Sequence, residues 1–170
     1  MNEPQYFTPE VRCYSDGRVE RKDTNPRWKN PKWRLVKLTP NRYGRYRIEV
    51  DKKYYFVYRI IASCFLNLDI ENLEDVVDHR DGNPSNNRIE NLRVTTKQGN
   101  SWNQVRAKGY TWHERAQKWQ AQIEVKGKKF FLGLFDTEEE ARQSYLAAKL
   151  IYHVIPERPI NFPIVQPLPE

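Results

Sequence analysis

The sequence predicts an α+β protein: antiparallel strands at the N-terminus, a central strand-loop-strand-helix segment, and a C-terminal three-stranded antiparallel sheet packed on one helix. Three patterns support this fold class. "RYRIEVDKKYYFVYR" alternates apolar and charged residues and turns at Asp51-Lys52-Lys53, as in a hairpin. "KWQAQIEV" alternates in the same way, with one apolar and one polar face. "TEEEARQSYLAAKLIYH" begins with Thr137 and has Glu140 three residues later, which predicts a capped helix.

The size and composition fit one ordinary domain or two small ones. The chain has 170 residues, of which 38% are hydrophobic. It shows no apolar run of membrane-spanning length, and its N-terminus lacks a signal-peptide pattern. Cys13 and Cys64 have no metal-ligand spacing, so we expect reduced thiols and no structural zinc. The expected location is intracellular, in the cytoplasm or nucleoid of a bacterial or phage-infected cell.

The charge distribution indicates a polyanionic partner. The formal net charge is +7. Residues 1–60 contain fifteen Lys and Arg against seven Asp and Glu, whereas residues 61–108 contain six against seven. A basic N-terminal region beside a slightly acidic middle suits a protein that grips phosphates near a bound cation, although solvated charge alone also produces such a pattern.

The first segment, 1–68, is basic and β-rich, and we expect it to bind DNA. It ends in "RIIASCFLNL", whose grouped apolar residues predict a short buried helix. Trp28 and Trp33 lie in its basic part and fit either base stacking or a core role. Its candidate phosphate contacts are Arg45, Arg47, Lys52 and Lys53.

The third segment, 109–155, reads as strands "GYTWHE", "KWQAQIEV" and "KKFFLGLF" followed by the capped helix. The helix carries a stripe of small and aromatic residues: Ala141, Tyr145, Ala148 and Tyr152. The expected core residues are Trp119, Phe130, Leu132, Tyr145 and Ala148. The candidate DNA contacts are Trp112, Arg115, Lys118, Gln120, Gln122, Lys126 and Lys129. The tail, 156–170, is rich in proline and is expected to be extended.

The middle segment, 69–108, contains the most informative stretch, "VVDHRDGNPSNNRIENLRVTTKQGNSWNQ". It predicts a strand ending at Asp78 and His79, a turn, a second strand over "IENLRVTT", and a helix over "KQGNSWNQVRAK" capped by Thr95 or Thr96. Asp78 and Asn100 are hard oxygen donors of the kind that suit Mg²⁺ or Mn²⁺. His79 points away from Asp78 on a strand and is suited to act as a base near neutral pH.

"DHRDGNPSNNRIENLRVTTKQGNSWN" resembles the HNH, or ββα-metal, nucleases, and specifically the phage intron-type homing endonucleases. The resemblance implies one divalent cation held by Asp78 and Asn100, with His79 as the general base. It gives Asn91 a structural role in the loop that orients His79. Asn83, Asn86 and Asn87 are expected to form turns, and Asn103 either contacts phosphate or faces water. Residues 1–108 are then expected to form one nuclease domain.

The third segment resembles the DNA-binding domain of plant Apetala and ethylene-response factors through "KWQAQI", "FLGLFDTEEEA" and "SYLAA". That resemblance implies a sheet that binds DNA. Thr111 and Glu124 stand where the plant proteins usually have arginines, so the plant proteins' DNA target does not carry over.

Three functions fit these features. The first is a sequence-specific, metal-dependent homing endonuclease acting on double-stranded DNA. The second is an HNH-type restriction endonuclease, and the third is a DNA-binding protein that does not cleave. We expect a monomer if the protein nicks one strand and a homodimer if it cuts both.

Overall fold

The computed structural model describes residues 3–25, 27, 30, 32–104 and 108–156. These residues fall into two units, one extending to Asn100 and the other covering Ser101–Pro156. Trp28 and the tail from 157 onward lie outside the described residues. No helix within the described ranges is long and apolar enough to cross a membrane.

The N-terminal unit begins with a four-stranded antiparallel sheet of order β1-β2-β3-β4. Its strands are β1 (Gln5–Thr8), β2 (Val11–Cys13), β3 (Val19–Asp23) and β4 (Lys32–Leu35). The predicted hairpin follows as β5 (Arg47–Val50) and β6 (Lys53–Phe56). Its two turn residues, Asp51 and Lys52, have φ of 49° and 64°, the conformation of a two-residue turn that matches strand twist.

The helix predicted from "RIIASCFLNL" is confirmed as α1 (Val57–Leu66), which starts directly after β6. Val57, Ile60 and Ile61 on this helix are each 0% exposed, and they form the centre of the core of the N-terminal unit. The helix contacts β1 and β2, and it also contacts the strands β7 (Val76–His79) and β8 (Leu92–Thr95). α1 therefore joins the basic sheet to the segment that carries Asp78 and His79.

The middle segment has the predicted order, with shorter elements. β7 (Val76–His79) pairs antiparallel with β8 (Leu92–Thr95), and α2 (Lys97–Trp102) follows. The second strand was expected to start at Ile89, but it starts at Leu92 because Ile89–Asn91 forms a 3₁₀ turn. The expected helix is also too long, since it ends at Trp102 and leaves Asn103 beyond its last turn. Thr96 is the residue that caps α2, accepting a hydrogen bond from Gly99 N at 3.0 Å.

The C-terminal unit is a three-stranded antiparallel sheet of order β11-β10-β9, packed against one helix. Its elements are β9 (Tyr110–His113), β10 (Lys118–Val125), β11 (Lys128–Phe135) and α3 (Glu138–Tyr152). The predicted capping box is present: Glu140 N donates to Thr137 Oγ1, and Thr137 N donates to the Glu140 side chain.

The core of this unit lies between β10 and α3. Ala121 and Ile123 on the strand are buried, as are Ala141, Tyr145 and Ala148 on the helix. One expected core residue is wrong. Phe130 is 50% exposed because it lies on the edge strand β11. Tyr152, the last residue of the helical stripe, is 51% exposed at the end of α3.

Candidate active site

Strand β7 ends in two polar residues that are both buried. Asp78 is 5% exposed and His79 is 8% exposed. Asp78 pairs with Arg93 across the hairpin and His79 pairs with Leu92, so the two side chains leave opposite faces of β7. Buried ionisable groups are costly unless they have polar partners. Their partners therefore show how the site is built.

Asp78 forms a tight ion pair with Arg93. Arg93 Nη2 lies 2.7 Å from Asp78 Oδ2, and Arg93 Nε donates to the same oxygen at 2.8 Å. Both side chains are largely buried, at 6% and 11% exposure. The pair gives the buried Asp78 carboxylate a charged partner on the opposite strand.

His79 is anchored through one ring nitrogen. Its Nε2 lies 3.1 Å from Asn87 Oδ1, and an amide oxygen can only accept a hydrogen bond. This contact favours the tautomer that carries its proton on Nε2 and leaves the basic lone pair of the neutral imidazole on Nδ1. The ring of Tyr58 packs edge-on against the imidazole, with the ring centroids 5.3 Å apart.

The environment of His79 favours its neutral form. Burial is the largest influence and lowers the pKa of His79 below its ordinary value. The hydrogen bond with Asn87 and the charges of Asp81 and Asp78 oppose this shift, whereas the charge of Arg45 reinforces it. A neutral imidazole at physiological pH can accept a proton, which is what a general base requires.

Asn91 ties the loop after His79 to the start of β8. Its Nδ2 donates to Asp81 Oδ1 at 2.9 Å and to the carbonyl oxygen of Asn86 at 2.8 Å. Its Oδ1 accepts from Asp81 N at 3.0 Å, and its backbone oxygen accepts from Arg80 N at 2.8 Å. One side chain thus holds both ends of the loop.

Asp81 is the second hub of this loop. It accepts hydrogen bonds from Asn83 N at 2.7 Å and Asn86 Nδ2 at 2.8 Å. Burial acts to raise the pKa of Asp81, but the hydrogen bonds from Asn86, Asn83 and Asn91 outweigh it, and the pKa is lowered. Gly82 N donates to His79 O at 2.8 Å, and its φ of 70° favours glycine. Asn83, Asn86 and Asn91 therefore shape the loop that follows His79.

Asn100 lies on α2 with an exposed side chain, and its backbone N–H bonds to Thr96 O at 3.0 Å. The described residues contain no group of three or more His, Cys, Asp and Glu that could hold a metal. Two oxygen donors, Asp78 and Asn100, suit a cation such as Mg²⁺, which keeps waters and takes further ligands from phosphate. Arg93 engages the Oδ2 atom of Asp78.

The four candidate phosphate contacts of the first segment are all exposed. Arg45 precedes β5, and Arg47 lies on it with its Cζ 5.0 Å from the ring centroid of Tyr54. Lys52 is in the hairpin turn, and Lys53 lies at 3.8 Å from Glu71 in an open ion pair. Such exposed pairs contribute little to stability, so these charges remain available to a polyanion.

The candidate contacts of the third segment lie on two faces. Lys118, Gln120 and Gln122 alternate with the buried residues of β10 and share the face opposite α3. Exposed Phe131 and Leu134 lie on the same face, opposite Gln122 and Gln120 respectively. We call this surface the open face.

Trp112 is separated from the open face. It is the cross-strand partner of Trp119, and the two rings pack edge to face 5.5 Å apart. The other candidates are placed as follows: Arg115 in the 3₁₀ turn Glu114–Ala116, Lys126 in the β10–β11 turn, and Lys129 opposite Glu124.

The two remaining histidines have structural contacts. His113 Nδ1 accepts from Ala116 N at 3.2 Å and caps the 3₁₀ turn. His153 Nε2 lies 2.9 Å from the carbonyl oxygen of Glu124, and its ring stacks on Trp102.

Sequence reasoning missed the partners that come from elsewhere in the chain. Asn87 was expected only to form a turn, and Tyr58, Arg93 and Arg59 were not considered. Arg59 donates to three carbonyl oxygens, those of Ile70, Asn72 and Asp75, and so shapes the entry to β7. One of these partners could have been found from the sequence. When the two strands are aligned as an antiparallel pair joined by their loop, Arg93 lies directly across from Asp78.

Comparisons with known proteins place an HNH endonuclease motif on this site. Residues 74–102, which contain β7, the loop, β8 and α2, match the model of a family described as HNH endonuclease. "Protein 3.8" of Escherichia phage T7 is 34% identical over 59 residues, covering 31% of this chain and 49% of the phage protein. The chain thus spans about half the length of this curated relative.

A solved structure is also similar. It is described as "DNA binding and cleavage by the HNH homing endonuclease I-HmuI". It shares 24% sequence identity with this chain, with a TM-score of 0.46, over 74% of this chain and 72% of that one.

The lowered pKa of His79 has a consequence for stability that is independent of activity. Between the folded-state pKa and the ordinary value near 6.5, the unfolded chain binds more protons than the folded one. His79 therefore contributes stability that is complete above about pH 6.5 and is lost as pH falls through the folded-state pKa. We expect urea unfolding between pH 7.5 and 5 to show a smaller acid loss of stability in His79→Gln than in wild type. An acid loss of stability in His79→Gln equal to that of wild type would contradict the assignment.

Proposed function

We propose that this protein is a sequence-specific, divalent-metal-dependent DNA endonuclease of the homing type. The observation that carries the proposal is the environment of His79. It is a buried histidine with a lowered pKa, anchored through Nε2 to Asn87 and placed beside Asp78 at a strand end. The HNH endonuclease match over residues 74–102 supports it. The net charge of +7 suits a DNA substrate.

In this proposal His79 is the general base. Nδ1 removes a proton from a water molecule as the water oxygen attacks phosphorus, and the bond from phosphorus to the leaving ester oxygen breaks. Asn87 holds the ring through Nε2, and Asn91 holds the loop that contains Asn87. Asp78 and Asn100 would bind the cation, which supplies Lewis-acid stabilisation of charge on the phosphate oxygens.

The basic residues of the first segment would grip the DNA backbone. Arg45, Arg47, Lys52 and Lys53 are exposed cations on or beside one hairpin. The open face would add sequence-dependent contacts, because glutamine amides pair with adenine edges and apolar side chains contact thymine methyl groups. Arg115, Lys126 and Lys129 would contact DNA around that face, Trp112 would contact DNA separately from it, and Asn103 would bind a phosphate.

The general-base role is tested by His79→Ala. We expect DNA affinity to stay near wild type and cleavage to slow by about 10²–10⁴-fold, the usual contribution of a positioned base. The measurement is single-turnover cleavage with parallel binding titrations, and His113→Ala is the matched control. Cleavage by His79→Ala at the wild-type rate at neutral pH would rule out this role.

The metal site is tested by Asp78→Asn and Asn100→Ala. We expect both variants to lose cleavage, EDTA to abolish wild-type cleavage, and Mg²⁺ or Mn²⁺ but not zinc to restore it. Asp78→Asn is preferred to alanine because it keeps an oxygen near Arg93, and thermal unfolding checks that the variant is folded. Full cleavage by wild type in excess EDTA would contradict a metal requirement.

Two separate roles, backbone binding by the first segment and sequence-dependent binding by the open face, are tested together. The measurement is the affinity for target and random duplexes as a function of salt concentration. Replacing Arg47, Lys52 and Lys53 with Gln should weaken binding to all sequences and flatten the salt dependence by up to ~0.9 slope units per lost contact. Replacing Gln120 and Gln122 with Ala should instead lower the ratio of target to random affinity. If this second variant keeps the full ratio, the open face does not read sequence.

A further inference from the structure

Arg45 is held by a closed turn of the backbone. Asn41 Oδ1 accepts hydrogen bonds from Tyr43 N at 2.9 Å and Arg45 N at 3.0 Å. Asn41 N donates in return to Arg45 O at 2.9 Å, and Gly44 N donates to Asn41 O at 2.9 Å. The backbone at Arg45 is therefore fixed, although its side chain is exposed.

This turn is attached to the loop that carries the active site. Ser85 Oγ donates to Gly44 O at 2.7 Å. A Cβ at Gly44 would lie 3.1 Å from Ser85 Oγ and 3.2 Å from Pro84 Cγ, and Gly44 has a φ of 75°. Glycine permits both the conformation and the close approach. Arg45, the next residue, is thereby held beside the loop that follows His79.

Aromatic rings connect the Arg45 guanidinium to His79. Arg45 Cζ lies 6.0 Å from the ring centroids of both Phe56 and Tyr58. These two rings stack on each other at 5.3 Å, and Tyr58 packs edge-on against His79. A guanidinium resting on rings is positioned in advance, so it loses less freedom when it binds an anion. The effect of its charge on the pKa of His79 agrees with this proximity.

Two other arginines near the site are already engaged within the protein. Arg93 forms the buried ion pair with Asp78, and Arg59 donates to backbone carbonyl oxygens. Arg45 differs because its guanidinium is exposed and lies against rings rather than carboxylates. Arg45 is therefore an exposed arginine that can meet an incoming phosphate beside the base.

We propose that Arg45 is a catalytic residue that binds a non-bridging oxygen of the phosphate being cleaved. This inference rests on the proposed endonuclease function. As water attacks phosphorus, its proton passes to His79 Nδ1 and the electron pair of the breaking P–O bond goes to the leaving oxygen. Negative charge then accumulates on the phosphate oxygens, and a fixed guanidinium stabilises it with two N–H donors.

The test uses the full-length protein, with Arg45→Ala and Arg45→Lys as the variants. Arg42→Ala is the matched control, because Arg42 belongs to the same turn and its guanidinium rests on the exposed ring of Tyr43, 4.6 Å from the centroid. Wild-type cleavage first maps the broken bond. We expect Arg45→Ala to lower the single-turnover rate by about 10²–10³-fold at saturating DNA, with Arg45→Lys intermediate and Arg42→Ala at the wild-type rate.

A binding experiment supplies a readout other than activity. The probes are the mapped duplex and the same duplex with one neutral methylphosphonate at the scissile position, titrated in EDTA. Wild type and Arg42→Ala should bind the neutral duplex more weakly than the native one. Arg45→Ala should bind the two duplexes equally, because it lacks the guanidinium that distinguishes the charged phosphate from the neutral methylphosphonate.

The outcomes separate the two proposals. If wild type cleaves DNA but Arg45→Ala cleaves within about threefold of wild type, or still discriminates against the methylphosphonate as wild type does, Arg45 is not the scissile-phosphate ligand. If wild type cleaves no DNA with Mg²⁺ or Mn²⁺, the proposed endonuclease function fails, and the role of Arg45 fails with it.

Discussion

The arrangement of the site depends on one constraint, the closure of the loop between β7 and β8 by the side chain of Asn91. A carboxamide can donate two hydrogen bonds and accept others. Asn91 uses this capacity to bind the backbone and carboxylate of Asp81 and the carbonyl of Asn86. The loop so closed places Asn87 within 3.1 Å of His79. The imidazole at the end of β7 thereby gains a defined tautomer and orientation.

The rest of the N-terminal unit supports this loop from three directions. Helix α1 places Tyr58 against the imidazole and Arg59 against the segment before β7. The turn that ends at Gly44 bonds to Ser85 and carries Arg45 beside the loop. Arg93 balances the charge of Asp78 from the paired strand. A histidine held from several elements loses little freedom on reaching a reactive geometry, which is the usual basis of preorganised catalysis.

Features set by neighbouring residues were predictable from the sequence. The capping box at Thr137 and the hairpin turn at Asp51 and Lys52 need only a few adjacent residues, and both are present. The order of strand, loop, strand and helix around Asp78 was also predictable from turn residues and β-branched runs. The extent of α2 was not, because propensity does not show where tertiary contacts stop supporting a helix.

Features set by distant residues were not predictable. Strands β1–β4 have three to five residues each, too few for a clear periodic signal, and their pairing is fixed by tertiary contacts. Asn87 looked like one turn residue among several until the fold placed it against His79. The contacts of Tyr58 and Arg45 with the site likewise depend on how α1 packs, which no local pattern encodes.

The tautomer of His79 is the most direct measure of whether this loop controls the site. Long-range ¹⁵N–¹H NMR correlations at pH 7, assigned by comparison with His79→Gln, report which ring nitrogen carries the proton. Wild type should show a neutral ring protonated on Nε2, and Asn91→Ala should lose that preference. A wild-type ring that is protonated on Nδ1 or charged at pH 7, or an Asn91→Ala spectrum identical to wild type, would contradict this expectation.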